Sequence, residues 1–195
     1  MKQLVIAAGL IAAGTAGGQV SEVVLDLSGG VTHDIDGLRI ERSYGDQGGL
    51  ELLPYSNGLI DDQYDYPMPP SGPFSTLGTS VVTLDGSVSS AGAFQSSFEL
   101  LADASSDGSW DDSNRPFSAA AAGMEIALTL DEPGQMEIAI TDVFLYRLTL
   151  SANGSTIFAS DRGSAFDPVG LSEGDVLLFD IPAGQVVLST FSDYT

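Results

Sequence analysis

The chain has 195 residues, 27 of them acidic and 6 basic, for a formal net charge of −21, with no cysteine and a single histidine. A surface this acidic repels phosphate backbones and anionic head groups, which excludes nucleic acid as an expected partner and makes cations the natural small ligands. The missing cysteine excludes disulfides, thiol catalysis and thiolate zinc sites, and a lone imidazole excludes any site built on two histidine ligands.

Taken in chain order, Met1 to Ala16 reads as an export leader. Lys2 gives a cationic start, Leu4 to Gly14 is an unbroken apolar or glycine run, and Gly14-Thr15-Ala16 offers small residues for cleavage before Gly17. That run is too short to span a bilayer, and no later stretch is long and apolar enough to do so. The expectation is a signal peptide over residues 1–16 and a secreted chain from 17 to 195 forming one domain without a membrane span.

Beyond the leader, short alternating runs bounded by Gly, Ser, Asp and Pro predict an all-β chain. Val20 to Leu27, Leu38 to Ser43, Val81 to Leu84 and Phe94 to Leu101 are strand candidates. Around these, His33 within Thr32 to Gly37 reads as a surface histidine, with a faint calcium-loop spacing about it. Residues 44–74 break the rhythm with Tyr44, Tyr55, Tyr64, Tyr66 and Phe74 among Pro54, Pro67, Pro69, Pro70 and Pro73. Since proline cannot donate to a β ladder, this stretch is expected to be an irregular loop or edge covering whose aromatics close one end of the domain.

The run Asp103-Ala104-Ser105-Ser106-Asp107-Gly108-Ser109-Trp110-Asp111-Asp112-Ser113-Asn114 carries the most specific chemical pattern. Oxygen side chains stand at loop positions one, three, five and nine, with glycine at six, as in an EF-hand-like loop that wraps a hard cation. Asn114 replaces the glutamate expected at position twelve. Asp103, Ser105, Asp107, Ser109, Asp111 and Asn114 are thus the candidate Ca2+ ligands, against the plain alternative of an exposed Asp/Ser/Gly turn.

Further along, Met124 to Leu130 and Met136 to Ile140 alternate around Asp131-Glu132-Pro133-Gly134, which predicts a hairpin closed by a type II turn. Phe144 to Leu150 and Thr156 to Ala159 flank Asn153-Gly154, the dipeptide of a tight hairpin. Arg147 on the polar face is expected to pair with a carboxylate across the sheet. A last hairpin is expected from Val176 to Ile181 and Gln185 to Phe191 around Pro182-Ala183-Gly184. About ten such strands predict a two-layer antiparallel β-sandwich of jelly-roll or immunoglobulin-like type.

Phe117 to Gly134, Leu148 to Ala159 and Ile181 to Ser189 together make the segment Phe117 to Ser192 resemble the β-rich bodies of exported bacterial proteins of the PEP-CTERM type. The resemblance covers the body and not the sorting tail, and it implies an extracellular protein associated with exopolysaccharide or biofilm matrix. No phosphate-cradling glycine loop occurs, and lysine chemistry would leave with Lys2. The expected function is a secreted, non-catalytic surface or extracellular-matrix protein, calcium-stabilised, with polysaccharide or surface proteins as partners. The alternative is a glycan-binding module using Tyr64, Tyr66 and Trp110, whose aromatic faces suit the C–H faces of sugar rings.

Overall fold

The computed structural model describes residues 4–9, 19–35, 38–66, 74–107, 117–140, 147–161 and 174–194. Among them the chain forms β1 (Leu4–Gly9), β2 (Val20–Ile35), β3 (Leu38–Gly48), a 3-10 turn (Leu50–Leu52), β4 (Tyr55–Tyr66), β5 (Phe74–Val88), β6 (Phe94–Asp107), β7 (Phe117–Leu130), β8 (Gly134–Ile140), β9 (Arg147–Ala152), β10 (Ser155–Asp161), β11 (Val176–Ile181) and β12 (Gly184–Tyr194). They assemble into two six-stranded antiparallel sheets, ordered β11-β8-β1-β6-β5-β4 and β10-β9-β12-β7-β2-β3. The all-β, sandwich-like fold is therefore the one that the alternating pattern predicts.

The period-2 rule sets what each strand buries. In β7 the buried row is Ser118, Ala120, Ala122, Met124, Ile126, Leu128 and Leu130, and in β8 it is Met136, Ile138 and Ile140. These two strands do not pair as the expected hairpin. β7 lies between β2 and β12 in one sheet, and β8 lies between β1 and β11 in the other. In a hairpin both apolar rows would share one face of one sheet and still need a cover. Crossing between the sheets at Asp131 to Pro133 makes each row the other's cover.

The expected hairpin of β11 and β12 fails for the same reason. β11 joins β8 and β12 joins β7, so Pro182 and Ala183 also cross between sheets. The two crossings stack, with Ile181 opposite Gly134 in one sheet and Gly184 opposite Leu130 in the other. Asn153-Gly154 does close the predicted hairpin of β9 and β10, both residues having positive φ (49° and 77°). Asn153 also accepts from Gln185 N–H at 3.0 Å and donates to Ala183 O at 3.0 Å, tying that hairpin to the second crossing.

Along the strands the interior narrows. The main core gathers Leu25, Leu27, Phe98, Leu100, Ile126 and Leu128 with their neighbours from both sheets. Past it, Val31, Ala102, Ala104 and Ala120 form a smaller cluster. The sheets approach closely there: a Cβ on Gly29 would overlap Ser80 Oγ and the Tyr44 hydroxyl, and one on Gly78 would overlap Val31. Two hydroxyls bridge the gap, Ser80 Oγ donating to Ala121 O at 2.5 Å and Ser118 Oγ to Leu77 O at 2.8 Å.

The irregular segment expected at 44–74 is mostly strand. Tyr44 to Gly48 completes β3 and Tyr55 to Tyr66 is β4, the edge of the first sheet. Within this segment the described non-strand part is 49–54, with the 3-10 turn and a cis Leu53–Pro54 bond, while 67–73 lie outside the described residues. Part of the stretch read as a leader has a place in the fold, since Leu4–Gly9 forms β1 in the middle of the first sheet.

Thr190 supplies a test of the core. It is 1% exposed in the inward row of β12, and its Oγ1 has no hydrogen-bond partner among the described residues. Replacing an unpaired buried hydroxyl by a methyl of the same shape removes a desolvation cost. Thr190→Val should therefore raise the free energy of unfolding by about 1 kcal/mol, read as a higher urea midpoint at unchanged m-value.

Candidate functional site

His33 is the chain's only imidazole, and the structure corrects its expected surface position. It continues the inward row Val23, Leu25, Leu27, Gly29, Val31 of β2 and is 1% exposed. Its Nδ1 lies 3.4 Å from Ser118 Oγ, its register partner on β7, and that hydroxyl donates to Leu77 O. Residues 36 and 37 of the faint calcium echo lie outside the described chain.

The candidate calcium ligands fall partly on a strand. Asp103, Ser105 and Asp107 belong to β6, in register with Thr79, Leu77 and Ser75 of β5. Asp103 and Ser105 are exposed and Ala104 between them is buried, so these positions form a row along the outer face. At roughly 3.3 Å per residue the row from position 103 to 107 spans about 13 Å, too straight to wrap one cation as the first five positions of an EF-hand loop do. Ser109, Asp111 and Asn114 lie outside the described residues. Among the described residues no three acidic or histidine side chains converge as a ligand set.

Of the aromatic platform, Tyr64 and Tyr66 stand on β4 in register with Thr76 and Phe74. Gln63 and Asp65 of the same stretch are exposed and joined by a 2.7 Å hydrogen bond. Trp110 lies outside the described residues. Arg147 opens β9 on its exposed face, in register with Asp161 of β10.

What the structure does assemble is an outward trough on the first sheet. Ser56, Thr83, Asp85, Ser97 and Glu99, from β4, β5 and β6, surround a depression of ≈ 220 Å³ floored by Tyr55 and Phe98. Asp85 and Ser97 also line an adjoining depression of ≈ 270 Å³ that continues over Gly86, Ser87 and Gln95. Hydroxyls beside carboxylates can take a cation or a polyhydroxylated ligand, but no imidazole or lysine lies in this lining to activate a nucleophile. Sequence reasoning missed this group because its members are ordinary outward positions of three separate strands.

Tyr55 anchors the trough to the core. Its hydroxyl donates to Asp46 Oδ2 at 2.9 Å, linking β4 of one sheet to β3 of the other. Burial, reinforced by the bond to the Asp46 carboxylate, pushes the Tyr55 phenol up to about 12. Burial likewise raises Tyr44, whose hydroxyl lies 3.1 Å from Ser80 Oγ. At the 3-10 turn, the Gly49 N–H donated to Glu51 at 2.7 Å lowers that carboxylate.

Because the Tyr55 phenol is raised in the fold, its stabilising contribution is complete below the unfolded value of 10.0 and is lost as pH rises toward about 12. Wild type should lose urea resistance between those two pH values. Tyr55→Phe should reduce that alkaline decline while costing about 0.5–1.5 kcal/mol at neutral pH for the lost bond to Asp46. Urea midpoints at pH 7 and across the alkaline range measure both effects. No protein-family model, curated protein or solved structure matches this chain.

Proposed function

We propose that this chain is an exported, non-catalytic surface or extracellular-matrix protein that takes calcium as a stabilising ion. The sequestration of His33 carries the non-catalytic part: the single imidazole is spent between the sheets on Ser118 and is out of reach of a substrate. Support for export comes from the leader pattern of Met1 to Ala16, and the net charge of −21 suits a protein meeting cations and neutral polysaccharide outside the cell. The calcium part rests on the oxygen spacing from Asp103 to Asn114 in the sequence, of which the described part, Asp103 to Asp107, is extended on β6. The alternative, glycan binding through Tyr64, Tyr66 and Trp110, is supported by their aromatic character in the sequence.

Incubation with a panel of polysaccharides should release no reducing ends, and turnover that disappears in Asp85→Asn or Glu99→Gln would overturn the non-catalytic reading. Thermal unfolding in calcium and in EDTA tests the ion. At about ten times its dissociation constant, calcium should raise Tm by roughly 3–6 °C, and Asp107→Ala should abolish the rise. Equal midpoints at millimolar calcium would remove the ion from the proposal.

A further inference from the structure

The place of Leu4–Gly9 in the first sheet defines a binding lane. The segment pairs antiparallel with β6 from Leu4↔Leu100 to Gly9↔Gln95, and with β8 from Ile6↔Ile140 to Gly9↔Glu137. The far edge of β6 is taken by β5 and that of β8 by β11, so this one strand satisfies both facing edges. Leu4 and Ile6 hold register positions opposite Leu100 and Phe98, and Ile6 and Ala8 opposite Ile140 and Ile138, all four neighbours being buried. The outward positions differ in character. Val5 stands opposite Glu99 and Gly9 opposite Glu137, with Ala7 between Ser97 and Ala139.

The same six residues open the apolar run Leu4 to Gly14 that reads as the leader's core. Loss of residues 1–16 would leave a gap of roughly 10 Å between β6 and β8, two strand spacings wide. It would expose apolar Phe98, Leu100, Ile138 and Ile140 beside two rows of unpaired N–H and C=O groups. Such a gap is a template for an added strand: main-chain bonds supply affinity and alternate side chains supply selectivity.

We propose that the lane between β6 and β8 is a strand-acceptor site. In the exported chain it takes an extended six-residue segment of a partner polypeptide, apolar at the inward positions held here by Leu4, Ile6 and Ala8. At the outward positions the segment is neutral or basic, because Glu99 and Glu137 flank them and like charges directly opposite destabilise a pair. The proposal rests on the export reading, through removal of the leader.

The test uses the chain beginning at Gly17 and a dye-labelled peptide of sequence Leu-Val-Ile-Ala-Ala-Gly on a soluble tag. Fluorescence anisotropy should show saturable binding, weakened about tenfold or more by Asp at the Ile6 position. Lys at the Val5 position should bind more tightly than Glu there. Hydrogen exchange at Gln95 to Leu100 and Glu137 to Ile140 should slow when the peptide is added. No binding, with those amides already protected, would mean that β6 and β8 close on each other and would overturn the proposal. A dimer that the peptide dissolves would assign the lane to a second copy and overturn the separate partner.

Where the shortened chain does not fold, the full chain carrying a protease site between Gly9 and Val20 is cut after folding. Native mass showing the cut segment retained, or exchanged for labelled peptide, supports the lane. Loss of the segment without replacement by excess peptide overturns it. The N-terminus of the exported protein separates the two readings: a start near Gly17 leaves the lane open, whereas retention of Leu4–Gly9 defeats the leader reading and fills the lane from within, whatever the peptide does.

Discussion

The architecture depends on one constraint, that the apolar rows on either side of Pro133 must be buried against each other. Met124, Ile126, Leu128 and Leu130 on β7 and Met136, Ile138 and Ile140 on β8 are all within 3% of complete burial. At about 25 cal/mol per Å2 of apolar surface, leaving either row uncovered forfeits more than the ladder bonds of a local hairpin return. The chain therefore crosses between sheets at a point where its turn chemistry would also allow a hairpin. Pro182 repeats the solution one strand over, and the stacking of the two crossings fixes β11 beside β8 and β12 beside β7.

The narrow end follows from residue size. Where Gly29, Gly78, Ala102, Ala104, Ala120 and Ala122 replace leucine-sized side chains, the sheets come near enough for Ser80 and Ser118 to reach backbone carbonyls of the opposite sheet. Each bond gives a buried hydroxyl an acceptor, so closeness and polarity are compatible there. His33 lies in this layer for the same reason: it continues an inward row to a place where a hydrogen-bonding partner is available. The consequence for chemistry is direct. The residue with the most catalytic potential serves the interior, and the outer trough is left to hydroxyls and carboxylates.

The sequence reveals the strands better than their partners. Alternation locates β7, β8, β11 and β12, and Asn153-Gly154 closes the predicted hairpin, because both signals are local. Pairing is not local: Pro-Gly and Pro-Ala-Gly suit a hairpin and a crossing equally, and only the distant core decides. Gly29-Gly30 and the Ser/Asp run through Asp107 resemble turns, yet they lie within β2 and β6, where close sheet approach demands small residues and the outer face accepts polar ones. The calcium pattern was legible as spacing, but spacing does not distinguish a curled loop from the end of an extended strand. For Asp85, Ser97 and Glu99 no sequence signal existed, since three strands must align before they become neighbours.

Leu4–Gly9 shows why one segment can satisfy two readings. An export leader needs a short uncharged apolar core, and a strand between two others needs apolar residues toward the interior and none that repel outward. Leu-Val-Ile-Ala-Ala-Gly meets both demands, so composition alone cannot choose between them. Timing can reconcile them. The partners of β1 are Gln95 to Leu100 and Glu137 to Ile140, distant in sequence, and at ~5–20 residues per second the first of them is made about 5–20 s after the leader. Pairing over such separations is also slow once both segments exist. On the proposed export reading, the segment is free for export machinery while the chain is being made, and it becomes a strand only in a chain that keeps it. On that reading, removal of residues 1–16 and opening of the proposed acceptor are the same event.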